Sequence, residues 1–194
     1  MKKVLCVANF LFGSASGAQS LARTHVQALY QAFGKENIIV FALVGTENIT
    51  DQKDIQIKKV ADKFFLRLIN LLEGNTGKIN SRIISEIVDV INKEKIELVF
   101  FDDSIYGNAI KIIKKCCPNV KVAAFYHDIK RYLAIEWAKK NPKSLPVQLS
   151  LITNERKTVQ YADVNIVLNE REKGLFQKYY HKLPEMLLPI ILPT

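Results

Sequence analysis

Apolar positions in this chain follow two alternating periods. Short, nearly continuous β-rich runs occupy Val4–Ala8, Ile38–Val44, Leu98–Phe101, Val120–Tyr126, Val164–Leu168 and Met186–Ile191. Strands buried on both faces look like this. Between them the spacing is helical. Ala18, Ala22, Val26, Leu29, Tyr30 and Phe33 share one stripe, closed by Gly34. Ile79, Ile83, Ile87, Val90 and Ile91 form a second. Ile105, Ala109, Ile112, Ile113 and Cys116 form a third, with Ser104 placed to cap it and Pro118 just beyond. Leu145, Leu149, Ile152 and Val159 predict a fourth helix, and Leu175, Phe176, Tyr179 and Tyr180 a fifth. Residues 45–77 are the least regular part. The alternation predicts an α/β fold, a Rossmann-like, doubly wound, mostly parallel sheet with helices on both faces. Ligands of such sheets bind at the carboxyl ends of the strands, near the switch point. Candidate chemistry therefore belongs to the residues that follow each strand.

Composition narrows the picture modestly. The 194 residues are 48% hydrophobic, enough for one domain with a real core. No apolar run reaches the roughly 18 residues of a membrane-spanning helix. The formal charge of +9 favours anionic partners: nucleic acid, an acidic membrane surface or phosphorylated ligands. No Arg-rich run or aromatic-interleaved basic motif is present, so nucleic acid is not an expected partner. Cys6, Cys116 and Cys117 have no zinc spacing and are odd in number. They read as reduced, structural thiols and favour a cytoplasmic location. The opening MKKVLCVANFLFGSASGAQS reads either as a signal peptide or as a first strand and its turn. Cleavage near Ala18 would leave the sheet without its central strand, so Val4–Ala8 is taken as that strand.

At the strand ends, Gly13, Ser14, Ser16 and Gly17 form a small turn feeding a helix. A helix amino-end offers N–H groups to phosphate oxygens, and Gly17 lets a ligand approach the backbone. A plain tight turn is the alternative. The spacing is G-x-x-x-G, neither the dinucleotide fingerprint nor a Walker motif, and Glu47 is a poor ribose-binding acid. Asp102 and Asp103 follow the strand ending at Phe101, as acids or as helix caps. A receiver-type phosphoacceptor would need an acid at Asn9, and no D-x-D follows the strand. His127 and Asp128 follow the strand ending at Tyr126. Histidine there suits proton transfer near neutral pH, or a structural loop hydrogen bond. Lys130 and Arg131 suit phosphate, or a solvated basic face. His25 and His181 fall within helical stretches without ligand spacing, so no metal is expected.

Four segments occur in a familiar order. They are SGAQ at 16–19, FYHDIKR at 125–131, ERKTVQYADVNIVLNEREKGLF at 155–176 and EMLLPIILP at 185–193. With them the chain resembles the amino-terminal half of a GT-B-fold glycosyltransferase, family 4 in the broad sense. The first segment is similar to the family's G-G-A-E turn, the second to its strand followed by His. The third is similar to its helix, "aDxvivxS" strand and short helix, and the fourth to the strand before its interdomain linker. The resemblance implies that residues 1–194 are one acceptor-side domain, with the carboxyl-terminal donor domain absent from this chain. The activity it implies is sugar transfer from a nucleotide-diphosphate-sugar to a glycan or lipid-linked acceptor, in polysaccharide or glycoconjugate biosynthesis. The nucleotide-sugar is a co-substrate, and no further cofactor is implied. Gly17, with Ser16 beside it, would approach the donor's diphosphate or sugar, and His127 would lie near the transferred sugar. Gly13, Asp103, Arg131 and Asn169 complete the candidate binding set. A retaining enzyme needs no dedicated base; in an inverting one Asp128 or His127 would serve.

Departures are also plain. Ser16 and Gln19 replace a glycine and an acid of the family turn, Asn169 a common serine, and the linker lacks its Asn-Gly. The paired-glutamate motif of the donor domain is missing, so this chain alone is expected to transfer no sugar. Its end, LLPIILPT, reads as a truncation or as the start of a second domain. Lipid-linked acceptors would give the basic excess a use at the inner membrane face. IKKVADKFFLRLINLL at 57–72 could lie in an anionic membrane interface, or be an ordinary helix packed on the sheet. The rival from another class is a non-catalytic nucleotide- or sugar-phosphate-binding module. An NAD-dependent oxidoreductase is disfavoured by the glycine spacing.

Overall fold

The computed structural model describes residues 2–9, 11–12, 17–45, 55–59 and 64–188. Seven strands form one sheet: β1 (Val4–Ala8), β2 (Ile38–Val44), β3 (Ile55–Lys59), β4 (Leu98–Phe101), β5 (Lys121–Tyr126), β6 (Val164–Val167) and β7 (Met186–Leu187). Their order is β3-β2-β1-β4-β5-β6-β7, and every pair is parallel. The chain starts in the middle, builds outward to β3, then crosses over to build the other half from β4. β1 lies between β2 and β4, with Val4 level with both Ile38 and Leu98. The switch point is therefore the gap between the carboxyl ends of β1 and β4.

Side-chain alternation along the strands divides the core in two. Leu5, Val7, Phe41, Leu43, Val99, Phe101, Val122 and Ala124 face one side. That side is covered by α3 (Ser81–Glu94) and α4 (Gly107–Cys116), with help from α6 (Leu145–Tyr161) and α7 (Glu170–Tyr180). Val4, Cys6, Ala8, Val40, Ala42, Phe100 and Phe125 face the other, where α1 (Gly17–Phe33) supplies Leu21, Ala22 and Val26. Two further helices, α2 (Phe64–Leu72) and α5 (Lys130–Lys140), complete the described set.

Helix ends follow local chemistry. Gly34, at φ 81°, donates its N–H to Tyr30 O and closes α1 in a conformation a Cβ would resist. The Asn80 and Asn169 side chains accept from Ile83 N and Glu172 N, capping α3 and α7. Three expectations need correction. Ser104 does not cap α4, which starts only at Gly107; its hydroxyl donates to Glu155 Oε2 at 3.0 Å. Residues 55–59 are a strand rather than part of an irregular stretch, so 57–72 is not one continuous amphipathic helix. Lys58, on β3, bridges to Glu86 at 2.9 Å and lies over the Phe41 ring, turned into the fold rather than toward a membrane. No described helix is long and apolar enough to cross a membrane.

Candidate active site at the switch point

Each strand that ends at the switch point delivers a polar residue into it. β1 is followed by Asn9, β4 by Asp102 and Asp103, and β5 by His127. All four are buried, as is His25, which α1 brings down from above β1. The loop after β4 is fixed at both ends. Asp102 N donates to Val7 O at 3.0 Å, and Ser104 O accepts from Thr158 Oγ1 at 2.6 Å. The two aspartates are therefore set by backbone and by α6, not by rotamer choice alone.

Asp102 lies between two imidazoles. His25 Nδ1 is 2.6 Å from its Oδ1. His127 Nε2 is 2.9 Å from its backbone oxygen and 3.5 Å from Oδ1. Carbonyl and carboxylate oxygens only accept, so both of those ring nitrogens carry their protons. The Phe125 ring stands edge-on to both imidazoles, with centroids at 4.3 Å from His25 and 5.1 Å from His127, and holds their planes. Burial alone would raise the Asp102 pKa, but the hydrogen bonds and charge of His127 and His25 outweigh it and leave it below the usual value. Burial likewise opposes a charged His127, yet Asp102, with Asp103 behind it, holds its pKa above the ordinary imidazole value. The two shifts agree: the structure favours an ion pair.

Asp103 takes a different partner. Its Oδ2 accepts from Asn9 Nδ2 at 3.1 Å. An acid at position 9 would meet this carboxylate directly, which is a structural reason for the amide there. Among the described residues, Asn9 Oδ1, Asp102 Oδ2 and Asp103 Oδ1 are buried without a hydrogen-bond partner. Orphaned acceptors of this kind are costly and call for donors. A cluster of buried acceptors at the carboxyl edge of the sheet suits hydroxyl groups and repels phosphate. No group of three His, Cys, Asp or Glu among the described residues is arranged to hold a metal.

The other expected site residues scatter. Gly13 and Ser16 lie outside the described residues. Gly17 is the first residue of α1, exposed, and a Cβ there would meet nothing within 4 Å. The protein's own packing thus places no demand on that glycine. Asp128 is half-exposed, with Lys130 Nζ 3.8 Å away. Arg131 turns from the switch point: its Nη1 donates to Tyr179 O at 2.8 Å and its guanidinium lies over the Tyr179 ring. Asn169 caps α7 beyond β6. His25 was not a sequence candidate. Its partner is 77 positions away, and only its polarity on a buried helical stripe hinted at a role.

No family model matches the sequence, and no curated protein matches it either. Solved structures do match. One is the lipopolysaccharide outer core galactosyltransferase WaaB in its apo form, with a TM-score of 0.57 over 91% of this chain at 10% identity. This chain spans 42% of the length of that one. Identity so low shows the fold alone, and that fold is the Rossmann-like α/β sheet described above.

Proposed function

We propose that this chain is the acceptor-side domain of a glycosyltransferase that moves a sugar from a nucleotide-sugar to a glycan or lipid-linked acceptor. The observation that carries the reading is the buried Asp102–His127 pair at the switch point, with carboxylate oxygens of Asp102 and Asp103 unpartnered among the described residues. Sugar transfer needs acceptors for hydroxyl hydrogens and a group that tolerates developing positive charge nearby. Asp102, Asp103 and His127 supply both. The shared fold with a galactosyltransferase and the resemblance of the ordered motifs to the GT-B family support it further. The acidic floor suits acceptor and sugar hydroxyls, so the diphosphate needs cations from elsewhere. Gly13 and Ser16, which lie outside the described residues, and Gly17, the first residue of α1, are the proposed donor-facing groups of this domain, and Asp128 or His127 is the proposed base if the transfer inverts configuration. Arg131 and Asn169 would act at the rim.

The decisive experiment is a transfer assay on the complete polypeptide that carries this domain, using a panel of labelled nucleotide-sugars with glycan and lipid-linked acceptors. His127→Ala is expected to lower transfer by about 10²-fold or more, and the 194-residue chain alone to transfer nothing. Transfer indifferent to His127→Ala, or turnover by the isolated chain, would overturn the reading. Nucleotide or sugar-phosphate binding without transfer in the complete polypeptide would instead identify a non-catalytic binding module.

A further inference from the structure

α1 covers one face of the sheet, and polar residues that follow two of the strands point into that cover. Residues two apart along a strand share a face. Asp102 therefore joins Phe100, and His127 joins Phe125, on the side where α1 packs Leu21, Ala22 and Val26. His25 lies on the same buried stripe of α1, four residues after Leu21 and three after Ala22. Helix and strand end thus bring an imidazole and a carboxylate together inside the core. The proposed chemistry uses Asp102 and His127 and leaves His25 without a part.

The geometry around that imidazole supplies one. The rings of Phe100 and Phe125 stand edge-on to His25, with centroids at 5.5 and 4.3 Å, so β4 and β5 fix its plane. From that plane Nδ1 donates to Asp102 Oδ1 at 2.6 Å. His127 reaches the same residue less closely, at 2.9 Å from its backbone oxygen and 3.5 Å from Oδ1. Oδ2 has no partner among the described residues. One carboxylate oxygen is pinned and the other is spare, so Asp102 cannot rotate without breaking its bond to His25. The other titratable groups around Asp102 are Cys6 of β1, Asp103 beside it and Tyr106 just before α4. Burial, with the carboxylate charge nearby, pushes Cys6 and Tyr106 well above their ordinary values, so both stay neutral near neutral pH.

We propose that His25 is the positioning residue of the switch-point pair: its imidazole locks the Asp102 carboxylate, holds His127 aligned through it, and leaves Oδ2 for an incoming donor. His25 itself touches no reacting atom; it acts through Asp102. That the incoming donor is a sugar hydroxyl rests on the glycosyl-transfer reading. The locking of His127 does not.

The sequence has 3 histidines, so the rings of His25, His127 and His181 can each be followed through a pH titration of the 194-residue chain by nitrogen-15 NMR. His25 is expected to carry a proton on Nδ1, and a bare Nδ1 would overturn the proposal whatever the variants do. His25→Leu fills the same space without a donor. Asp102, buried and unpinned, then turns or takes up a proton, so the proton affinity of His127 should fall at least about threefold. His25→Asn puts an amide N–H where Nδ1 stands and should restore it. An unchanged or higher His127 midpoint in His25→Leu would overturn the proposal, as would a His25→Asn midpoint far from that of the wild type. If circular dichroism shows that His25→Leu does not fold, the wild-type Nδ1 proton and the His25→Asn midpoint decide. In the complete polypeptide, His25→Leu should lower kcat by about 10²-fold with KM for the nucleotide-sugar within about twofold, and His25→Asn should recover most of the loss. A raised KM with kcat kept would overturn the positioning role. If the wild-type polypeptide transfers no sugar, the glycosyl-transfer reading fails by itself, and the His127 titration still decides for His25.

Discussion

Gly17 and Gly107 each begin a helix, yet the structure uses them oppositely. A Cβ on Gly107 would stand 1.9 Å from the backbone oxygen of Asn154 and 2.6 Å from Lys157 Cβ, so α4 and α6 could not keep their approach. Gly107→Ala is expected to lower urea-unfolding stability by about 1–3 kcal/mol. Gly17→Ala meets nothing, and its stability should change by no more than about 1 kcal/mol. A loss of ligand binding in the stable Gly17→Ala variant would show that the glycine serves an incoming group; unchanged binding would return it to a plain turn. The Asp102–His127 pair makes a pH prediction whose sign follows from both shifts. Asp102 is lowered, so its contribution is present above its unfolded pKa near 3.8 and fades as pH falls through the folded value. His127 is raised, so its contribution is full below its unfolded pKa near 6.5 and is lost as pH rises through the folded value. The pair therefore stabilises most between those limits. His127→Gln should cost on the order of 1–2 kcal/mol near pH 5.5, and the cost should shrink above neutral pH in a urea-midpoint series. A cost independent of pH would show that no ion pair forms. His127 was legible in the sequence because topology alone marks the residue after a strand. His25 was not, because a buried histidine on a helical stripe looks the same with or without a carboxylate across from it.

The elements that were easy to read are those whose pattern is set by the sheet. β1, β2 and β4 have the bounds their apolar runs predict, since both of their faces are covered. β3 escaped because it is an edge strand, with Gln56, Lys58 and Lys59 breaking its run. α5 escaped for a different reason. It buries only Ala134 and rides out from the edge on α6, so no apolar stripe marks it. What anchors it is Glu155, which is fully buried and accepts from Lys130 N, Arg131 N, Ser104 Oγ and the Tyr180 hydroxyl. This carboxylate takes the first N–H groups of α5 and faces the positive end of its dipole. Burial, the largest influence on its pKa, pushes it up in spite of those donors. Glu155→Ala would orphan two N–H groups and two hydroxyls, at a cost on the order of 2–4 kcal/mol. Hydrogen exchange offers the sharper measurement: protection of the Lys130 and Arg131 amides should be lost while β4 and β5 amides keep theirs relative to the global free energy. Uniform loss across the sheet would mean that α5 is held by its packing and not by this cap.

At the scale of the whole molecule, two properties oppose each other. The net charge of +9 suggests a basic binding site, but the switch point is acidic, because Asp102 and Asp103 are buried there while the lysines stay outside. A sum over the sequence cannot show which charges share one edge of the sheet; strand order decides that, and beyond the central place of the first strand it was not legible. The same order sets where stability resides. β1 is flanked on both sides and wholly buried on both faces, whereas β3 lies at one edge with no fully buried residue and β7, at the other, pairs through two residues among those described. Opening free energies should fall outward from β1 and β4, since parallel strands gain their stability from layers on each face rather than from the ladder alone. Leu5→Ala, at a site with no exposed surface, should cost about 2–5 kcal/mol, and Ile57→Ala on β3 only about 1 kcal/mol. Native-state hydrogen exchange at low denaturant gives the independent measure. Amides of β1 and β4 should exchange only through global unfolding, and those of β3 and β7 through smaller openings that leave the switch point assembled. If β3 amides exchange with the same free energy and denaturant dependence as β1, the sheet opens as a single unit. The Asp102 cluster could then not outlast fraying at the edges, and the idea of a rigid centre carrying the site would fail.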